Sequence, residues 1–100
     1  MTLEIQNDGN KVLGILDGRL DTAASVQFAQ EMEPLMQNAD KEITLDCKAL
    51  DFISSSGLRL FLTLRKATMA KGGKVIICGI NDDIQQVFNI TGFSTLFEFA

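Results

Sequence analysis

The sequence predicts an α/β fold: a mixed, mostly parallel sheet in the order ββαβαβα, with helices mainly on one face. Two alternating runs joined by Asn7-Asp8-Gly9-Asn10 mark a β-hairpin at the start. After it, helix-period and strand-period patterns succeed each other, the succession that builds parallel sheets with right-handed crossovers between neighbouring strands. The run at residues 43–47 alternates Ile43, Leu45 and Cys47 with Thr44 and Asp46. A strand covered on both faces reads as continuously apolar, so this alternation leaves the second face of the sheet partly open.

The elements follow in order. Leu3 and Ile5 alternate with Glu4 and Gln6 as a half-buried first strand, and residues 11–17 return as the second. Gly18-Arg19-Leu20-Asp21 leads to a helix from Thr22, capped by Asp21 or Thr22, with Phe28, Ala29, Met32, Leu35 and Met36 at helical spacing. Pro34 removes a helical hydrogen bond, so a kink or a fresh turn is expected there. The third strand, residues 43–47, runs toward Asp51-Phe52-Ile53-Ser54-Ser55-Ser56-Gly57, and Leu58, Phe61, Leu62, Leu64, Arg65 and Ala67 build the next helix up to Gly72-Gly73. Val75-Ile76-Ile77-Cys78 is apolar throughout and reads as a central strand. Asp82-Asp83 open a last helix with Ile84, Val87 and Phe88 inward and Gly92 as its stop. Leu96-Phe97-Glu98-Phe99 is the candidate for a short last strand, and Phe88, Phe93, Phe97 and Phe99 read as core and sheet-end packing.

Residues 1–100 make one domain with a single core. An apolar share of 46% and a charged share of 22% are those of an ordinary globular protein. Net charge −4, without a basic cluster, speaks against nucleic acid or an anionic membrane as partner. No signal peptide and no membrane-spanning run is present, so no membrane insertion and a cytoplasmic location are expected. Cys47 and Cys78 form no CxxC and read as reduced core thiols.

The chain has no histidine and no tyrosine, which removes the commonest general base and metal ligand. No phosphate-cradling glycine motif is present; Gly72-Gly73 follows a helix and is a turn. Asp46 and Asp51 lack a clear third partner for a metal, so no metal and no cofactor are expected. A hydrolase using Ser55 with Asp21 or Asp51 would want a base that the sequence does not supply. What remains is the run of three hydroxyls, Ser54-Ser55-Ser56, where a strand hands over to a helix. The first turn of a helix has unpaired N–H groups that favour side-chain oxygens and negative charge. A serine there is either a cap or a place for a phosphate. No Glu or Gln completes a capping box, and Arg59 in the first helical turn opposes the helix dipole, to pair with Asp51 or Asp46 or to meet a partner.

In Gly18-Arg19-Leu20-Asp21, Ile43 to Asp46, Phe52-Ile53-Ser54-Ser55-Ser56-Gly57-Leu58, Lys71-Gly72-Gly73-Lys74-Val75 and Val87-Phe88-Asn89-Ile90-Thr91-Gly92-Phe93, the chain resembles the STAS family of anti-sigma factor antagonists. The resemblance covers nearly the whole chain in order and implies a STAS-like domain over residues 1–100. It implies a switch by partner exchange: the domain sequesters an anti-sigma factor that is also a serine kinase, a sigma factor is freed, phosphorylation abolishes binding, and a serine phosphatase resets the module. Aligned on Gly57-Leu58, the modified serine of the family falls on Ser55, with Ser54 and Ser56 as rivals, and Ser54 stands where the family pattern has an aspartate. Asp21 matches the family's aspartate near the phosphosite. Asp21, Asp51, Ser54, Ser56, Gly57 and Arg59 are the candidate partner-binding residues. The alternative function is a constitutive STAS regulatory or scaffolding subunit of a signalling or lipid-transport complex, not phosphorylated.

Overall fold

The computed structural model describes residues 1–100. Strands β1 (Thr2–Asp8) and β2 (Lys11–Leu20) form the antiparallel hairpin, with Asp8 opposite Lys11. The turn is therefore Gly9-Asn10, with Gly9 at φ 62°, the glycine-first two-residue turn that suits twisted strands. Helix α1 (Thr22–Glu31) is followed at once by α2 (Glu33–Gln37). Pro34 sits in the first turn of α2, where no hydrogen bond from its nitrogen is needed, so the expected disruption takes the form of a fresh helix. Along these helices Ser25, Phe28, Met32 and Leu35 are buried, whereas Ala29 faces solvent. The inward stripe keeps Phe28, Met32 and Leu35 and begins about one turn earlier than the apolar residues mark, because a serine, Ser25, occupies the inner face.

Strand β3 (Glu42–Ile53) is longer than its alternation predicts. The pairing runs Ile15 to Asp46 and then Asp17 to Ala49, and again Gly18 to Leu50 and then Arg19 to Phe52. At each step β3 advances one residue more than β2, as at a β-bulge. Its buried residues are accordingly Ile43, Leu45, Cys47, Leu50 and Ile53, with spacing that lengthens from two to three. Strict alternation ends at Cys47, but the strand does not. Likewise β2 continues through Gly18-Arg19-Leu20, expected to be a lead-in.

Helix α3 (Ser55–Lys71) stops on Gly72 in the left-handed conformation, and β4 (Lys74–Cys78), α4 (Asp82–Thr91), a single 3-10 turn (Phe93–Thr95) and β5 (Glu98–Phe99) complete the chain. The sheet order is β1-β2-β3-β4-β5, parallel from β2 onward. One apolar cluster joins the inner strand positions to all the long helices. Phe61 bridges Phe28 and Phe88 with ring centroids 6.1 and 6.3 Å apart, and Phe88 meets Phe97 and Phe99 edge to face. The opposite face keeps Leu13, Ile15, Thr44, Asp46 and Ile76 half-buried, as the alternation requires. No helix is long and apolar enough to cross a membrane. Cys47 and Cys78 are free thiols. Burial pushes the Cys47 thiol up to about 12, with Cys78 and Asp46 adding to the shift.

Candidate functional site

The parallel ends of β2 and β3 deliver two helix N-termini to one place. Ser54 is the single residue between β3 and α3, and its N–H donates to the Leu20 carbonyl at 2.8 Å. Its backbone is extended, and its Oγ accepts the Gly57 N–H at 3.1 Å. This is an N-cap, and it closes one of the open donors of α3. Gly57 makes the tight handover sterically possible. A Cβ there would lie 2.6 Å from Leu20 Cγ and 3.3 Å from Ile53 Cγ1, so the first turn of α3 rests directly on the end of β2.

On the neighbouring helix Asp21 is the cap, its Oδ1 accepting the Ala24 N–H at 2.8 Å. Ser25, only 6% exposed, donates its hydroxyl to the Asp21 carbonyl at 2.8 Å, and its Oγ lies 3.5 Å from Ser54 Oγ. A hydroxyl has one proton. With the Ser25 proton on Asp21, the Ser54 hydroxyl is the donor across the gap. A directed chain results: Gly57 N–H to Ser54, Ser54 to Ser25, Ser25 to the Asp21 carbonyl. It links the first turns of α1 and α3, whose dipoles both present partial positive charge there.

The three serines thus have different surroundings. Ser54 is half-buried and engaged as cap. Ser55, the first residue of α3, is exposed, and its hydroxyl has no partner within the chain. Ser56 is half-buried, also without an intramolecular hydrogen bond. Gly57 is buried, so among the expected partner-binding residues it shapes the site from beneath and offers no contact surface. Asp21 is half-buried and Asp51 exposed near the second bulge of β3. Arg59 is exposed and pairs with neither Asp51 nor Asp46. Asp46 instead accepts the Lys48 N–H at 3.1 Å and has Lys48 Nζ at 3.8 Å.

Two features of the site are not apparent in the reading of motifs. Ser25 lies four residues after the Asp21 cap, a spacing that could have flagged it. Phe52 is 39% exposed with the Arg19 guanidinium 4.6 Å from its ring centroid, a cation–π stack across β2 and β3. Phe97, by contrast, is buried. The aromatic at the surface beside the serine turn is Phe52.

Comparison with known proteins gives the following. The family model described as STAS domain matches residues 4–100. BtrV of Bordetella bronchiseptica, named as an anti-sigma factor antagonist, is 28% identical over 100 residues, covering 100% of this chain and 86% of that protein. A Thermotoga maritima structure, titled as an anti-sigma factor antagonist, superposes with TM-score 0.87 at 16% identity over 97% of this chain and 84% of its own. The Bacillus cell fate determinant SpoIIAA in its phosphorylated form superposes with TM-score 0.74 at 22% identity over 99% of this chain and 91% of its own. These two structures share the fold.

Proposed function

The chain belongs to the STAS domain family, and from that premise we propose that it is an anti-sigma factor antagonist, a regulatory binding module without catalysis of its own. Unmodified, it sequesters an anti-sigma factor that is also a serine kinase and so frees a sigma factor. Phosphorylation on Ser55 abolishes that binding, and a serine phosphatase restores it. The observation that carries the site is the sorting of the three hydroxyls: Ser54 caps α3, whereas Ser55 is exposed with a free Oγ. The similarity to BtrV, named as an anti-sigma factor antagonist, and to SpoIIAA in a phosphorylated form supports a phosphorylation-controlled antagonist.

The chemistry is compatible with the fold. The Ser55 oxygen takes the terminal phosphoryl group of ATP as the bond to ADP breaks, and the hydroxyl proton leaves to the kinase. The product carries about −1.5 to −2 charges at neutral pH. At the first position of α3 that charge meets a favourable dipole, so the domain stays folded. In an interface it must be desolvated close to the carboxylates of Asp21 and Asp51, which opposes binding.

The test is intact mass after incubation with ATP and a candidate anti-sigma factor kinase, for wild type, Ser55→Ala and Ser54→Ala. One phosphate on wild type and on Ser54→Ala, with none on Ser55→Ala, is the expected result. A stable complex with no phosphate on any of them would favour the constitutive regulatory subunit instead.

A further inference from the structure

Beside the serine turn lies a groove of about 300 Å³ between the ends of β2 and β3 and helix α4. Its floor is Ile53 and Ile84, both buried, with Val87 on one wall. Phe52 forms the other wall, backed by the stacked Arg19. Asp51 and Asp83 lie at the rim, and neither is in an ion pair, since the ion pairs of the chain involve only Lys11, Lys48 and Lys74 with Glu42, Asp46 and Glu98. Asp83, Val87 and Ile90 recur at the spacing of one helix face, and Ile90 is 84% exposed. Apolar surface thus continues from half-buried Val87 in the groove to exposed Ile90 one turn further along α4.

Position and charge say what this groove fits. Its Phe52 wall and Ile53 floor are followed directly by Ser54 and Ser55, so a protein that reaches the Ser55 hydroxyl covers the groove as well. Its apolar floor calls for an apolar side chain, and its two unpaired carboxylates outnumber the one cation of the lining, Arg19, which is stacked on Phe52, so the groove is net acidic and calls for a cation beside that side chain. We infer that the groove is the anchor for the anti-sigma factor itself, taking an apolar side chain from a segment where lysine or arginine flanks that residue and meets Asp51 and Asp83. This rests on the Ser55 reading above and adds to it a second, unmodified contact. Ser55 is the switch; the groove supplies affinity and selects the partner.

Fluorescence anisotropy of a labelled candidate kinase, without ATP, tests the inference. Truncating an aromatic hot spot that the partner fully buries costs tenfold or more in affinity, so Phe52→Ala and Val87→Asp are expected to weaken binding by about tenfold or more. Asp83→Lys is expected to weaken it and to reduce its salt sensitivity. Gln6→Ala, on the distant hairpin, is expected to leave it unchanged. Circular dichroism confirms that each variant is folded. As a check independent of folding, a photo-reactive phenylalanine at position 52 is expected to crosslink to a partner segment with an apolar residue next to a basic one. Wild type that binds and is phosphorylated on Ser55, with groove variants within twofold of it, overturns the anchor and leaves the switch standing. Crosslinking to an acidic segment, or a Phe52-dependent dimer of this chain alone, overturns it as well. Wild type that neither binds nor is phosphorylated removes both.

Discussion

Gly57→Ala tests the close contact on which the site is built. In a helix, alanine is favoured over glycine by about 1 kcal/mol, so propensity alone predicts a more stable protein. The structure predicts the opposite. The new Cβ would lie 2.6 Å from Leu20 Cγ and 2.8 Å from Cδ2, and Leu20 is fully buried. Ordinary contact begins near 3.4 Å, so the leucine must move by most of an ångström at the middle of its side chain. Overpacking of this kind costs about 1–3 kcal/mol. Where the leucine cannot yield, the upper part of that range applies, and the net loss is about 1–2 kcal/mol, or a fall of roughly 5–15 °C in Tm for a domain of this size. With no tryptophan or tyrosine in the chain, circular dichroism is the practical probe, by heat and by urea. Leu20→Ala opens space at the same spot, and in that background the added methyl is expected to stabilise. The reversal of sign distinguishes this contact from any general effect on the helix. Stabilisation of the wild-type background by Gly57→Ala would refute the close approach of α3 to β2.

Further predictions concern the caps and the buried thiol. Ser54→Ala removes the α3 cap and is expected to cost about 1 kcal/mol by urea unfolding, whereas Ser54→Asp preserves the cap and adds a charge that the helix N-terminus favours. Ser25→Ala leaves the Ser54 hydroxyl without its acceptor; faster amide exchange at Gly57 is expected, and Ser25→Thr is expected to restore protection. Cys47 stays a neutral thiol when folded, but its unfolded form ionises above its ordinary value of 9.0. Its contribution is complete below that pH and is lost as pH rises toward 12, at a rate approaching 1.4 kcal/mol per pH unit. Unfolding at pH 7 and pH 10.5 is therefore expected to show a smaller loss for Cys47→Ala than for wild type.

Much of the fold is legible because its signals are local. Asn7-Asp8-Gly9-Asn10 marks the hairpin, Asp21 and Asn81 cap helices, and Gly72 and Gly92 end them in the left-handed conformation. The end of β3 is less legible. Its inward positions shift from a step of two to a step of three after Cys47, and only pairing with β2 tells a bulged strand from a loop. The candidate site divides in the same way. A serine before a helix is visible in the sequence, but which hydroxyl is engaged depends on whether Gly57 N–H points back to Ser54, and on Ser25 arriving from another helix. Phe52 reads as one more apolar residue at a strand end; its exposure follows from the second bulge, which carries Asp51 and Phe52 outward between buried Leu50 and Ile53.

The same geometry explains why a charge on Ser55 is expected to control association rather than folding. The folded state already satisfies the cap of α3 through Ser54, so a phosphate one residue on displaces no existing hydrogen bond. It falls where two helix dipoles already favour negative charge, and both first turns are tied together through Ser25. A phosphate on Ser54 would differ: it would replace the hydroxyl that accepts Gly57 N–H and force a bulky dianion against the buried Ser25. Adjacent serines therefore have different settings, Ser54 engaged as the cap of α3 and Ser55 exposed with a free hydroxyl. A melting temperature for the Ser55-phosphorylated form within a few degrees of the unmodified protein, together with loss of the complex, is the expected signature. Unfolding on phosphorylation would instead show that Ser55 is part of what holds α3 in place.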